Sequence, residues 1–418
     1  MSQGTGPNAE NEVSPSDRTM LRELARRVAE IAALPIQQER IAMWKRHNSL
    51  HRVRPMVLIF PEGSWRELIP ETSLKCLGKL ARDIENRLCM RIYTHEHFHT
   101  DAVAEDLWNV EPVIHDTGWG LEERWHFSND PTGARTFDPV IKEPADLKKL
   151  RFPEVTCDEA ATASKMALYE DLFGDILRVR RTKIKRVCYH LMSQYTALRG
   201  LEQVMIDMIE NPQWLHDAMA LLTEGHKRVL RQLVDLNLLD VNNDNTYNNS
   251  GGNSWTDELP AAGFDPNRVR PCDVWSFAES QELAQVSPDM HEEFALQYEK
   301  QLLAPFGLTG YGCCEDLTRK MDYVFRIPHL RRISISPWAN VEACAAKLQD
   351  KYVFSWKPHP GMVAGDYSPD RIRKYIQHTL DVSRGCVIEM ILKDTHTCDH
   401  HPERFEVWSQ IAMELATA

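Results

Sequence analysis

The chain reads as an α/β protein, a (β/α)8 barrel with an N-terminal helical extension, and three observations carry that reading. Short apolar runs rich in β-branched and aromatic residues recur along it. Amphipathic helical stretches separate these runs, so the connections are too long for hairpins and the strands must lie parallel. Almost every run ends in His, Cys, Asp, Glu, Asn or Lys, at the end of the strand where a barrel of this kind places its chemistry.

The elements follow in order. Residues 1–18 have neither a charged start nor an apolar stretch of signal-peptide type, and are expected to be a disordered leader. Ser16 is placed to cap a first helix with Leu21, Leu24, Val28 and Ile31 on one face. Pro35 opens a second helix through Ile41 and Trp44. Residues 19–50 are thus expected to be helices packing on a barrel of residues 51–418. Nine runs read as strands: MVLIF 56–60, MRIY 90–93, KRVCYHLM 185–192, LLDVNND 238–244, DVWSFA 273–278, GLTGYG 307–312, RRISIS 331–336, YVFSW 352–356 and CVIEMIL 386–392. Eight close a barrel and one is extra; an open doubly wound sheet is the runner-up. Helical patterns cover 73–88, 196–210, 212–235 and 368–384. The last starts at Ser368-Pro369 and stops at Gly385. The 120–185 segment is irregular and reads as a lid or an insertion.

Composition narrows the function. With 61 acidic against 49 Lys and Arg residues, the net charge is −12, which argues against a nucleic-acid backbone as partner. No run is long and apolar enough to cross a membrane. The 10 cysteines are spread through 418 residues without zinc-finger or CxxC spacing. They are expected to be reduced thiols in a cytoplasmic protein.

The strand ends supply the candidate site. Glu62 follows the first run, and His95, His97 and His99 follow the second, where on a strand they would share a face. A cluster of this kind is a second metal site or a structural feature. His190 and Gln194 follow the 185–192 run. Asn242, Asn243 and Asp244 follow 238–241, with Asp244 the candidate acid or base, although Asn and Asp also build ordinary turns. Glu279, then Cys313, Cys314 and Glu315, then Trp338 come next. Lys357 and His359 are placed to hold an anion; Lys393, Asp394, His396 and Cys398 end the series. On extended backbone Cys313 and Cys314 would face opposite ways, so one is the functional thiol and the other core packing. Glu315 and Asp394 join Asp244 as catalytic candidates.

GYGCCEDL, preceded by FAESQELAQVSPDMHEEFALQYEKQLLAPFGL and followed by IPHLRRISISPWANVE, resembles the uroporphyrinogen decarboxylase superfamily, in its methyltransferase-like branch. TALRGLEQVMIDMIENPQWLHDAMALLTE and the closing HPERFEVWSQIA extend the resemblance over roughly residues 50 to 415. The resemblance implies a (β/α)8 barrel, often dimeric, and zinc held through a His-x-Cys and a later Cys. Tyr311-Gly312-Cys313 stands where the His-x-Cys would be. Cys313, Cys314, His396 and Cys398 are therefore the metal candidates. It implies a methyl group moved from a small methoxylated or methylamine-type compound to a corrinoid on a separate protein. Two other readings stay open: a decarboxylase or lyase on a small carboxylated substrate, and a barrel that binds a ligand without turnover.

Overall fold

A computed structural model describes residues 13–127 and 135–418. Its centre is a parallel sheet of β1 (Met56–Ile59), β2 (Cys188–Tyr189), β3 (Trp275–Ala278), β4 (Leu308–Tyr311), β5 (Leu330–Ile335), β6 (Val353–Trp356) and β7 (Val387–Leu392). The order is β1-β7-β6-β5-β4-β3-β2, and every neighbouring pair is parallel. The helices longer than one turn are α1 (Pro15–Ala32), α2 (Pro35–Asn48), α3 (Lys79–His97), α4 (Glu159–Phe173), α5 (Leu191–Arg199), α6 (Leu201–Glu210), α7 (Pro212–Asp235), α8 (Gln297–Leu303), α9 (Val341–Leu348), α10 (Pro369–Val382) and α11 (Glu403–Thr417).

Alternation along the strands divides two buried faces of different chemistry. Ile333 and Ile335 of β5, Phe354 and Trp356 of β6, and Ile388, Met390 and Leu392 of β7 join the main apolar core, to which α11 adds Phe405, Trp408 and Ile411. The intervening residues include the buried polar set Arg332, Ser334, Ser355 and Glu389, beside Val353, Val387 and Ile391. Arg332 Nη2 donates to Glu389 Oε2 at 3.2 Å, and the Ser355 hydroxyl donates to the other carboxylate oxygen. α2 closes this face: His47 Nε2 lies 3.1 Å from Glu389 Oε2, and Asn48 Nδ2 donates to the carbonyls of Asn253 and Trp255. The 246–255 loop lies across it. A Cβ at Gly252 would stand 2.5 Å from Glu389 Oε2, and one at Gly251 2.5 Å from Arg332 Cδ, so both positions demand glycine. A second small core joins α1, α3 and α4 through Leu21, Val28, Ile84, Leu88, Trp108 and Phe173.

The structure departs from the sequence expectations at definite places. MRIY 90–93 is not a strand; it continues α3, whose buried Ala81, Ile84 and Leu88 keep the helical period. LLDVNND 238–244 makes one parallel bridge, Leu239 to Ile184. Asn242 then replaces the ladder with its side chain, donating to the carbonyls of Lys185 and Trp275 and accepting from the Trp275 N–H at 2.8 Å. Gly200, at φ +86°, splits the helix expected over 196–210 into α5 and α6. Ser14 rather than Ser16 caps α1, accepting from Asp17 N–H at 3.1 Å, and the helix begins inside the span expected to be leader. Residues 1–12 lie outside the described residues. α10 ends at Ser383, whose hydroxyl donates to the Thr379 carbonyl, ahead of Gly385. The irregular segment contains the antiparallel pairs Val113–Asp116 with Val155–Asp158 and Arg124–Phe127 with Arg135–Asp138. Beside it, Leu107–Val110 pairs in parallel with Arg178–Arg181.

Candidate active site

Gly312 ends β4 at φ +95°, a left-handed backbone that turns the chain out of the sheet. The two thiols that follow therefore do not diverge as on a strand. Cys313 Sγ and Cys314 Sγ lie 3.5 Å apart, and Cys314 Sγ lies 3.7 Å from Asp394 Oδ2. Two hydrogen bonds hold the turn: Cys313 N–H donates to Glu315 Oε2 at 2.8 Å, and Ser334 Oγ donates to the Cys313 carbonyl at 3.0 Å. From the end of β7, Lys393 Nζ reaches 3.2 Å from Asp394 Oδ1 and 3.9 Å from Glu62 Oε1.

These neighbours make the two thiols unlike. Cys313 is drawn below the ordinary thiol range by the hydrogen bond from Cys314, against the cost of burial, and then by the Lys393 ammonium. Cys314 is pushed up by its bond to Cys313, by burial and by Asp394. Burial works against the Lys393 charge, but Tyr247, Cys313, Asp394 and Glu62 outweigh it and raise the amine. The surroundings thus favour the anion on Cys313 over Cys314 and set the Lys393 cation among the groups that favour it.

Acid groups stand behind the thiols. Burial and then Glu279 push the Glu315 carboxyl up to about 8. His190 Nδ1 lies 2.6 Å from Glu279 Oε1; burial opposes its charge, yet the Glu279 bond raises the imidazole. Burial lifts Glu299 to about 7, although Tyr311 Oη and Ser280 Oγ donate to it at 2.7 and 2.8 Å.

Most of the other predicted residues serve elsewhere, although the charges of Cys313 and Lys393 both act on Lys357. Asp244 is ion-paired with Lys185 and, at 3.5 Å, with Arg180. Asn243 Nδ2 donates to the Leu259 carbonyl at 2.7 Å, a loop tie like that of Asn242. His95 and His97 sit two positions apart on α3 and do not share a face; His97 packs on Tyr93 with ring centres 4.2 Å apart. His99 lies past the helix and meets Gln410. Trp338 is 66% exposed, edge-on to His359, whose Nδ1 caps a short helical turn by accepting from Gly361 N–H. Lys357 is buried, its Nζ donating to the carbonyl and hydroxyl of Ser355, and burial pushes the amine down to about 7.

Of the four metal candidates, only Cys313 and Cys314 are seen to meet. Cys398 Sγ donates to Glu67 Oε2 at 3.1 Å, and burial and Glu67 push the thiol up to about 12. His396 lies against Gly63. Among the described residues no group of three His, Cys, Asp or Glu side chains is placed to hold a metal ion. The described side chains are not arranged to hold zinc. Sequence reasoning missed Tyr247, Ser334 and Ser250, whose hydroxyl lies 3.3 Å from Ser334 Oγ and helps to lower the Cys313 thiol. The SGG of 250–252 was their available signal, since paired glycines mark a close backbone approach.

Fold and site together define an α/β chain with a parallel sheet and a polarised thiol pair at a strand end. No protein-family model matches it, and no curated protein does. Among solved structures it is similar to a methyltransferase from Methanosarcina mazei, at 11% identity and a TM-score of 0.50, over 89% of this chain and 97% of that one. The likeness is one of fold.

Proposed function

We propose that the chain is a methyltransferase on a (β/α)8-type barrel, in which the Cys313 thiolate takes a methyl group from a small methoxylated or methylamine-type donor. The observation that carries this reading is the thiol pair itself, with Cys314 and Lys393 both favouring a Cys313 anion. The fold's likeness to a methyltransferase supports it. The Cys313 sulfur forms a bond to the methyl carbon as the carbon–oxygen or carbon–nitrogen bond breaks. The leaving atom keeps the electron pair and takes a proton from His190, which Glu279 holds ready. A nucleophile from outside the chain must then restore the thiolate, and a reduced corrinoid on a separate protein is the acceptor we propose. Asp244, committed to Lys185, acts in neither half.

Single-turnover incubation with a panel of methoxylated and methylamine donors tests this. About one equivalent of demethylated product per chain is expected without any acceptor, and none from Cys313→Ser. Product formation that survives Cys313→Ser overturns the assignment.

A further inference from the structure

Beside the thiol cluster, a cavity of about 1110 Å³ opens between β1, α3 and the stretches 100–112 and 182–186. Its wall is cationic in a chain of net charge −12. Arg40, Arg87, Arg91, Lys183, Lys185 and Arg186 line it, against Glu62, Glu105, Glu111 and Asp244. Lys185 pairs with Asp244, whereas the other five cations make no ion pair among the described residues. Arg40 Nη1 donates to the Ala102 carbonyl at 2.9 Å, and Arg91 Nη1 to the Leu107 carbonyl at 3.1 Å. Both guanidiniums are pulled down by burial, a cost that an anion would offset. Glu105 acts on Arg91 through its charge but makes no ion pair with it, and burial raises the Glu105 carboxyl.

Orphaned polar atoms mark the same wall. Trp108 Nε1, Tyr247 Oη and His95 Nδ1 are buried without a hydrogen-bond partner among the described residues, and all three residues line the cavity. Phe60, Trp65 and Ile114 give the cavity an apolar side as well.

We propose that this cavity binds an organic polyanion, with its carboxylate or phosphate groups on Arg40, Arg91 and Arg186 and its carbon skeleton against Phe60, Trp65 and Ile114. Arginine suits the task because its planar fork matches either anion and stays charged. The size is that of a small-molecule site. The inference is independent of the reaction assigned to Cys313.

Titration calorimetry of the full chain, with citrate and tripolyphosphate as probes, tests it. Saturable binding of at least one probe is expected, and the stronger arm tells carboxylate from phosphate. Arg91→Gln and Arg186→Gln should each weaken binding about tenfold or more, the loss expected for one charged hydrogen-bonding partner. Arg371→Gln, on the outer surface of α10, should leave binding unchanged, as should Cys313→Ala. Arg186 is exposed, so its variant decides the matter if Arg91→Gln does not fold. The proposal fails if neither probe saturates, if the foldable arginine variants bind like wild type, or if Cys313→Ala abolishes binding.

Discussion

Replacing Lys393 by Met removes the cation that favours the Cys313 anion. Lys393 is buried and Cys313 half-buried, so water screens the pair only in part. Charges that shift one another's pKa lie within about 4–6 Å, and in an effective dielectric of about 20 two unit charges in that range interact by about 3 kcal/mol. That is an upper bound of about 2 pK units; screening at the half-open side brings it to about 1. In wild type the Cys313 thiol is drawn down to about 7. Its alkylation by iodoacetamide, followed by mass spectrometry of the peptide across pH, should show a midpoint in that region. Lys393→Met should move the midpoint up by about 1 to 2 units, so the rate at pH 7 falls roughly 5- to 50-fold. Lys393→Arg should keep most of the effect. An unmoved midpoint in Lys393→Met, or preferential alkylation of Cys314, would refute the reasoning.

Other consequences are as concrete. Arg332→Met leaves Glu389 buried without its cation and should cost about 3–5 kcal/mol in urea unfolding. Glu389 itself is opposed by burial but held down to about 2 by Arg332 and His47. Its folded value lies below the unfolded one, so its stabilisation is present above about pH 4.3 and is lost as pH falls toward 2. A stability profile flat over that acid range would contradict it. Glu315 has the opposite sign: raised to about 8, it stabilises fully in acid and loses that contribution as pH rises to 8. Glu315→Gln should therefore flatten the decline in stability between pH 5 and 8. Elemental mass spectrometry should find well below one zinc per chain, unchanged by Cys398→Ala, whereas about one zinc lost on Cys313→Ala would reinstate a metal centre.

The parallel sheet was legible because its strands are short, apolar and separated by helices, a pattern that β3 to β7 keep almost residue for residue. MRIY misled because four apolar and polar residues fit a strand as well as a helix, and only the longer period from Ala81 settles it. The reactive turn was legible as GYGCCED, but not its geometry. The opposite-face expectation assumed extended backbone, and the left-handed Gly312 bends it away. Arg332 and Glu389 lie within strand-like runs, where one-dimensional reading sees only burial. Their pairing with each other and with His47 spans most of the chain and leaves no local signal. The cationic cavity was hidden for the same reason, since its arginines come from α2, α3 and the 182–186 stretch.

The central claim is that Cys313 carries the methyl group. The direct measurement is peptide mass mapping after incubation with trideuteromethyl donors of the methoxylated and methylamine classes, with no acceptor present. The account predicts one trideuteromethyl group on the Cys313-containing peptide, assigned to Cys313 by fragmentation and absent in Cys313→Ser. Label on Cys314 or another residue, or turnover of a donor with Cys313 left unmodified, would contradict it.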